Sequence, residues 1–287
     1  MRLLVYGYGF SGSALARRMA AAGWGVTATF RSEDARARIV ADGFDAVDVA
    51  DRAGLARALS TANAVLVTPA PGPDGCPALG TLAPLLKQGA EVPEWVGYLS
   101  TTGVYGDRQG RWVTERSPLV PKSVEGARRV DAEMGWLALG RSLGFPVTVF
   151  RLPGIYGPGR STFERLREGR ARRVTAPGQV FSRIHVDDLA SGLAASISRP
   201  RAGGVYNLCD DAPAANSEVV AYAAGLLGMA PPPEVSLEDA GLSPVAMRFY
   251  GESKRVSNAR AKAELGWRPA YPTYREGLAA ILATEVS

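Results

Sequence analysis

Three glycines near the start of the chain have the spacing of a loop that holds a phosphate against a helix. They form a Gly-x-Gly-x-x-Gly motif at residues 7–12, after an apolar run at residues 3–6 and before a helical pattern at residues 13–22. Gly7 allows a tight turn, Gly9 lets the backbone approach a pyrophosphate, and Gly12 allows close packing of helix on strand. We therefore predict a dinucleotide-binding loop; the alternative is a strand-to-helix turn without a ligand. The residues predicted to contact the cofactor here are Gly7, Gly9, Phe10, Ser11 and Gly12.

The end of the second apolar run, residues 26–30, bears on the choice of cofactor. A site specific for NAD places an acid at this tip to accept a hydrogen bond from the ribose hydroxyl, and here the tip carries Arg31 instead. A guanidinium at this point can bind the 2′-phosphate of NADP with two hydrogen bonds. We therefore predict NADP(H) as the preferred cofactor, with NAD also accommodated; the alternative is that Arg31 is a solvated surface arginine.

Two later strand ends complete the predicted cofactor site. Asp48 and Val49 close the third apolar run, where an acid often contacts the adenine; a helix cap is an equal alternative for Asp48. Thr68, Pro69 and Ala70 end the fourth run, and we predict that they line the ribose side of the cofactor.

Composition excludes several classes of function. The chain has 287 residues and a net charge of +5, with arginines scattered among acids, so we predict no nucleic-acid partner. His185 is the only histidine, which excludes a zinc site built on several imidazoles, and we predict no metal site. Cys76 and Cys209 are too few for a disulfide framework and suit a reducing cytoplasm. No apolar run reaches the roughly 18–20 residues of a membrane span, so we predict no membrane association.

The elements that must position these residues alternate between short apolar runs and helical patterns. This order is typical of a parallel sheet covered by helices on both faces. Right-handed crossovers then give a doubly wound α/β sheet of the Rossmann type, with its binding crevice at the carboxyl ends of the strands. The predicted strands lie at residues 3–6, 26–30, 46–49, 64–68, 96–100, 147–151 and 205–208, and predicted helices at residues 13–22, 52–61, 124–143 and 188–198.

Two stretches fall outside this alternation. One is rich in Gly, Arg and Pro and spans residues 157–180; the other begins near residue 210 and contains a run of prolines and two late helical patterns. We predict that residues 159–181 and 209–287 form a small C-terminal substrate lobe. Residues 1–158 and 182–208 are predicted to form the NAD(P)-binding core.

Three later segments resemble the extended short-chain dehydrogenases/reductases, the NAD(P)-dependent epimerase/dehydratase group. Residues 98–106 are similar to that group's Ser/Thr-rich Val-Tyr-Gly segment, residues 151–159 to its sixth-strand segment, and residues 183–190 to its Ile-His-Val-x-Asp motif. The resemblance covers roughly residues 1–210. It implies that Pro153 and Ile155 flank the nicotinamide, and that the Thr101 hydroxyl polarises a substrate carbonyl.

The resemblance fails at the group's catalytic Tyr-x-x-x-Lys pair. No tyrosine lies between Tyr105 and Tyr156, and the positions of the pair, counted back from Glu133, hold Glu125 and Arg129. One interpretation is that Glu125 acts as a carboxylate base near the nicotinamide and is oriented by Arg129. The other is an i,i+4 ion pair on the helix surface.

Other residues compete for a part in proton transfer. Tyr105 and Tyr156, at the ends of the fifth and sixth strands, are substitute proton donors. Tyr250 and Lys254 match the Tyr-x-x-x-Lys spacing, but they lie beyond the crossover helix that carries the pair in the group, and we treat the match as chance. We predict that His185 is a structural histidine at a helix start.

Two functions are compatible with these residues. The first is an NADP(H)-dependent oxidoreductase or epimerase/dehydratase-like enzyme acting on a small polar metabolite; the second is a non-catalytic dinucleotide-binding protein, a redox sensor or a scaffold. The related sugar-nucleotide enzymes carry a basic residue four positions before the histidine, and Phe181 stands there, which argues against a nucleotide-sugar substrate. We predict a bacterial, cytoplasmic protein that is a monomer or a homodimer and whose partner is a small molecule.

Overall fold

The computed structural model describes residues 1–89, 91–243, 247 and 249–286 of the chain. The strands are β1 Arg2–Tyr6, β2 Gly25–Phe30, β3 Asp45–Asp48, β4 Ala64–Val67, β5 Trp95–Thr101, β6 Trp112–Val113, β7 Val147–Leu152, β8 Gly154–Tyr156, β9 Arg173–Thr175, β10 Arg183–His185, β11 Gly204–Asn207, β12 Glu234–Ser236 and β13 Arg255–Val256. Within the described residues, seven of them form one parallel sheet in the order β11-β7-β5-β4-β1-β2-β3. These are the seven predicted strands, and the predicted doubly wound α/β sheet is confirmed.

The helices of the described residues include those predicted at residues 13–22, 52–61, 124–143 and 188–198, together with others that the sequence analysis did not name. They are α1 Phe10–Ala21, α2 Glu33–Ala41, α3 Arg52–Ser60, α4 Pro77–Lys87, α5 Val124–Leu143, α6 Thr162–Arg167, α7 Val186–Ile197, α8 Asn216–Leu226, α9 Ala259–Leu265 and α10 Tyr274–Val286. α5 has the predicted bounds because Ser123 caps its start, accepting a hydrogen bond from Gly126 N (2.9 Å), and Gly144 ends it at φ +76°. α1 begins earlier than predicted, at Phe10, since Gly9 is its N-cap. None of the described helices is both long and apolar enough to cross a membrane.

Each face of the sheet is buried under its own set of helices. Leu3 and Val5 of β1 join one apolar cluster, which includes residues of α1 and α7, whereas Leu4 and Tyr6 join a second cluster with residues of α3, α4 and α5. Successive side chains of a strand point to opposite faces, so a strand that is apolar throughout must be covered on both. This two-sided burial fixes the register of β1 and therefore the position of the glycine loop that follows it.

A third apolar cluster lies outside the sheet. It joins Phe163 of α6 to Val219 of α8 and Leu278 of α10, all from the two stretches predicted to form the lobe. α9 was predicted in the same lobe, but Ala261 and Leu265 are buried in the cluster on the sheet, where α9 packs against α7 and β11. These two apolar residues lie four apart and therefore share one face of α9. Packing of that face against a neighbouring element buries both side chains. We keep the division into core and lobe as a proposal, with α9 on the core side.

The parallel strands end together at one edge of the sheet. Phe30 of β2 lies beside Asp48 of β3, and Thr101 of β5 lies beside Leu152 of β7. A short 3₁₀ turn, Thr102–Tyr105, continues directly from β5. The residues that follow these strand ends are those predicted to bind a cofactor, so the fold gathers them along one rim.

Candidate functional site

The three glycines of the loop after β1 differ in what the fold demands of them. Gly7 has φ +101°, and a Cβ there would lie 2.4 Å from Thr68 Oγ1. A Cβ on Gly12 would lie 2.4 Å from the Gly7 carbonyl oxygen and 3.0 Å from Val5 Cγ1. Gly9 has an ordinary φ of −97°, and no atom lies within 4 Å of the Cβ position. The turn and the packing explain Gly7 and Gly12, whereas nothing inside the described protein requires a glycine at position 9.

Two threonines hold the loop in place. Gly7 N donates to Thr29 Oγ1 (3.0 Å), and Thr68 Oγ1 donates to the Gly7 carbonyl (2.8 Å). Thr68, predicted to line the cofactor ribose, therefore also supports the loop, while Pro69 is half-buried and Ala70 is exposed. The sequence analysis missed Thr29, although a polar residue near the end of an apolar strand, buried to 3% exposure here, is a signal that could have found it.

The start of α1 offers backbone donors beside the open space at Gly9. Ser13 N bonds the Gly9 carbonyl (2.8 Å), so the helical hydrogen bonds begin there, and a helix leaves its first amides without partners in the helix. Those amides belong to the turn that contains Phe10 and Ser11. Together with the positive end of the helix dipole they form a cradle that fits a pyrophosphate.

The tips of β2 and β3 carry the residues that bear on the adenosine half. Arg31 directly follows β2 and is exposed. Asp48 Oδ1 accepts from Ala50 N (2.9 Å), and Val49 N donates to the Phe30 carbonyl (3.1 Å), which keeps Val49 beside the tip of β2. The alternative that Asp48 caps the next helix is wrong, because the N-cap of α3 is Asp51, which accepts from Gly54 N (2.9 Å).

Thr101 ends β5 at the same rim. Its Oγ1 accepts a hydrogen bond from Gly103 N (3.1 Å), and the residue is half-buried. A hydroxyl that accepts one bond still has its own proton to donate. Across from it, Pro153 and Ile155 are half-buried after the end of β7. A carbonyl oxygen placed between these two strand ends can therefore receive a hydrogen bond from Thr101.

α5 brings Arg129 against the same strand end. Arg129 Nη1 donates to the Leu99 carbonyl (2.5 Å) and to the Tyr98 hydroxyl (3.2 Å). Glu125 lies one turn earlier, in the first turn of α5, and is exposed. The described contacts of Arg129 thus anchor its guanidinium to β5. Both interpretations of Glu125, as an ion-pair partner of Arg129 and as a carboxylate base, stay open.

Tyr105 lies in a buried polar network rather than at the rim. Its side chain is fully buried, its hydroxyl donates to Asn207 Oδ1 (2.7 Å) and accepts from Arg151 Nη1 (3.1 Å), and burial raises the pKa of this tyrosine to about 12. Arg151 in turn pairs with Glu133 (2.8 Å), and both side chains are at most 6% exposed. A proton donor must reach its substrate, so we infer a structural role for Tyr105.

We predict that the buried Arg151–Glu133 pair contributes strongly to the free energy of unfolding. Glu133→Ala leaves the guanidinium of Arg151 buried without its counter-charge, and the free energy of unfolding should fall by about 3–5 kcal/mol. Asp45→Ala is the matched control, because it breaks the exposed Arg2–Asp45 pair and should cost less than about 1 kcal/mol. Urea denaturation measures both; equal losses in the two variants would contradict a buried network of this strength.

The remaining candidates lie on the lobe side of β8 and β10. His185 caps α7, its Nδ1 accepting from Asp187 N (3.2 Å), and at 2% exposure it is the predicted structural histidine. Tyr156 packs edge-on against His185 at 5.3 Å, and its hydroxyl lies 2.0 Å from the Cβ position of Gly277 in α10. That hydroxyl is therefore directed toward α10.

The literal Tyr-x-x-x-Lys match immediately precedes β13. Tyr250 packs against Phe181 (5.3 Å between ring centres), and Lys254 Nζ pairs with Glu252 Oε2 (2.5 Å) just before β13. Among the described residues, no group of three or more His, Cys, Asp or Glu side chains is placed to share a metal ion.

Known proteins are similar to this chain in sequence and in fold. Residues 85–209 match the family model of the NAD-dependent epimerase/dehydratase family. Protein YeeZ of Escherichia coli is 29% identical over 285 residues, covering 94% of this chain and 96% of that protein. A functionally unknown conserved protein from Silicibacter pomeroyi has a solved structure with a TM-score of 0.91 and 44% identity, covering 100% of this chain and 99% of that one.

A more distant likeness shows the fold alone. The structure of dTDP-glucose 4,6-dehydratase from Bacillus anthracis, solved in complex with NAD, has a TM-score of 0.79 and 22% identity and covers 100% of this chain and 96% of that one. The match to the family model spans β5, α5, β7 and α7, the elements whose ends form the rim described above. The predicted resemblance to the NAD-dependent epimerase/dehydratase family is therefore confirmed over residues 85–209 of the chain.

Proposed function

We propose that this protein is an NADP(H)-dependent oxidoreductase of the epimerase/dehydratase type that acts on a small polar metabolite. The proposal rests on the open space at Gly9. No contact inside the described protein requires a glycine at this position, and the first amides of α1 lie beside the space. A pyrophosphate explains both features. The family binds NAD(P), so the proposal adds the preference for NADP(H) and the class of substrate.

In the proposal each predicted residue has a role toward the cofactor. The loop from Gly7 to Gly12 would hold the pyrophosphate, and Arg31, Asp48 and Val49 would hold the adenosine half. Thr68, Pro69 and Ala70 would line a ribose, and Thr101, Pro153 and Ile155 would flank the nicotinamide. When bound there, the nicotinamide supplies a hydride acceptor or donor.

Two side chains of this chain act on the substrate in the proposal, and a third, Arg129, supports them. The Thr101 hydroxyl donates a hydrogen bond to the substrate oxygen. This bond orients the reacting carbon of the substrate toward the nicotinamide. Glu125, exposed in the first turn of α5, accepts a proton from the substrate. Arg129, anchored on the Leu99 carbonyl, holds positive charge close to the start of α5. Proton abstraction suits this set better than the protonation of a carbonyl.

We expect NADPH to bind more tightly than NADH by about ten- to a hundredfold. One bidentate arginine–phosphate contact contributes roughly 1.5–3 kcal/mol, and Arg31 is the exposed cation at the tip of β2. Arg31→Ala should remove this ratio without changing NADH binding. The exposed Arg36 of α2, which pairs with Glu33 (3.2 Å), provides the control Arg36→Ala. Isothermal titration with both cofactors measures the ratio, and a ratio unchanged by Arg31→Ala would refute the preference.

A non-catalytic dinucleotide-binding protein is the second candidate function. It is favoured by the position of Tyr105, whose hydroxyl is held in a buried network, and by that of Tyr156, whose hydroxyl is directed toward α10. In that case bound NADPH should stay reduced with every compound in a panel of aldehydes, ketones and sugar derivatives. Oxidation of NADPH by any member, measured as loss of its absorbance, would support the enzyme instead.

A further inference from the structure

A buried carboxyl group lies where the chain leaves the sheet beside β10. Asp210 follows the last residue of β11 by three positions and is 2% exposed. Its backbone N donates to the Arg183 carbonyl (2.7 Å), which holds the residue against β10. The proposed function assigns no role to this carboxyl.

The two oxygens of the Asp210 carboxyl have unequal surroundings. Oδ1 accepts from Ala212 N (3.3 Å), whereas Oδ2 is buried and has no hydrogen-bond partner among the described residues. Buried polar atoms nearly always have a partner, so an unpartnered carboxyl oxygen needs an explanation. A carboxyl that takes up a proton near neutral pH is one, because the neutral form costs much less to bury than the charged form.

Groups on each neighbouring element act on the charge of Asp210. Burial raises the pKa of its carboxyl to about 7, while the Arg183 guanidinium opposes that rise and the adjacent Asp211 adds to it. Tyr156 of β8 interacts electrostatically with Asp210, and Glu276 of α10 acts on the same tyrosine. The charge of Asp210 therefore changes between about pH 6 and pH 8, while Arg183 stays cationic.

The ladder between β8 and β10 brings this charge close to the proposed nicotinamide position. Gly154 of β8 is paired with Arg183, and it lies between Pro153 and Ile155, which are proposed to flank the nicotinamide. Neighbouring strands lie about 4.8 Å apart, so the backbone of Asp210, bonded to Arg183, lies roughly 10 Å from Gly154. Charges at this separation still interact through a protein interior, where screening is weaker than in water.

The oxidised and the reduced cofactor differ by one positive charge on the nicotinamide ring. Their adenosine halves and phosphate groups are identical, so the ratio of their affinities reports on the charges beside that ring. When Asp210 is protonated, the positive charge of Arg183 stands alone and disfavours the oxidised ring. When Asp210 is ionised, the two charges offset each other and the oxidised ring is no longer disfavoured.

We propose that Asp210 is a positioning residue that sets, through Arg183, the preference of the site for the oxidised or the reduced nicotinamide. A rise in pH ionises Asp210 and shifts the preference toward the oxidised cofactor. Because the coupling is reciprocal, binding of the oxidised cofactor releases the Asp210 proton to the solvent. This inference rests on the proposed function, since it concerns the cofactor of the same site.

Isothermal titration with NADP⁺ and NADPH at pH 6 and at pH 8.5 tests this inference. The ratio of the NADP⁺ to the NADPH dissociation constant should fall about threefold to tenfold from the lower to the higher pH. In Asp210→Asn the ratio should change less than twofold; any contribution of His185, whose pKa is lowered by burial, remains in this variant. Glu234→Gln is the matched control, because it removes an exposed carboxylate that pairs with Arg173 (2.9 Å), and it should keep the full pH dependence.

Proton release by the unchanged protein provides a measurement that needs no variant. At pH 7, titration in two buffers of different ionisation enthalpy should show that NADP⁺ releases about 0.25–0.4 protons more than NADPH. Equal release would overturn the role of Asp210 and leave the proposed function standing, and so would an affinity ratio that depends on pH as strongly in Asp210→Asn as in the unchanged protein. If the unchanged protein binds neither cofactor, the proposed function is wrong and this inference falls with it.

Discussion

Gly9→Val is expected to reduce NADPH and NADH affinity at least a hundredfold in a protein that still folds. The Cβ position of Gly9 has no neighbour within 4 Å and its φ is −97°, so valine meets no clash inside the protein. The added side chain instead fills the space where the pyrophosphate must approach the amides of α1. Valine is a poorer N-cap than glycine, and the free energy of unfolding should fall by only about 1 kcal/mol.

Gly7→Val is the matched control in the same loop. Gly7 has φ +101°, and its Cβ would lie 2.4 Å from Thr68 Oγ1, so the variant should lose at least about 2 kcal/mol of folding stability. Titration of both cofactors and thermal unfolding distinguish the two variants. A folded Gly9→Val protein with undiminished affinity would show that the loop is only a turn.

Glu125→Gln is expected to lower turnover by about 10²–10⁴ while leaving NADPH affinity nearly unchanged. The change keeps the shape of the side chain and removes the proton acceptor, which contributes this much when it acts in the rate-limiting step. NADPH affinity should be nearly unchanged because the residues proposed to contact the adenine and the pyrophosphate lie at other strand ends. The assay runs in the direction of oxidation, with NADP⁺ and the alcohol that corresponds to whichever member of the carbonyl panel oxidises NADPH, because only this direction gives a substrate proton to a base.

Thr101→Val should lower turnover by about 10²–10³, because it removes the hydroxyl that meets the substrate oxygen. Asp131→Asn is the control: Asp131 is an exposed carboxylate of the same helix as Glu125, and its loss should not affect turnover. If Glu125→Gln turns over as fast as Asp131→Asn, the glutamate is not the base. Its role is then structural, at a cost of a fraction of a kcal/mol.

The local parts of the structure were predictable because they depend on short stretches of sequence. The seven strands are continuous apolar runs, and such runs between helical patterns belong to a parallel sheet buried on both faces. The glycine loop is a local turn, and the structure gives Gly7 and Gly12 the reasons that the motif predicts. α5 was predicted to its ends because Ser123 and Gly144 are local capping residues.

Predictions failed or stayed open where a residue's partner is distant in the chain. Asp48 and Asp51 are both acids after β3, and only the geometry of the turn makes Asp51 the cap of α3. Tyr105 looked available for proton transfer until Arg151 and Asn207, far along the chain, were brought to its hydroxyl. Sequence alone cannot anticipate such contacts, because burial and pairing are set by packing between elements.

The sequence by itself determined the sheet, the loop at residues 7–12 and the resemblance to the epimerase/dehydratase family. Only the tertiary structure decided which charged groups meet a counter-charge and which do not. Arg167 and Arg165 are indistinguishable in the sequence, but the first meets Glu285 from α10 and the second lines a cleft without a carboxylate partner among the described residues. The physical reason is that a charge acts on whatever lies within a few ångströms of it, and folding, not order along the chain, sets those neighbours.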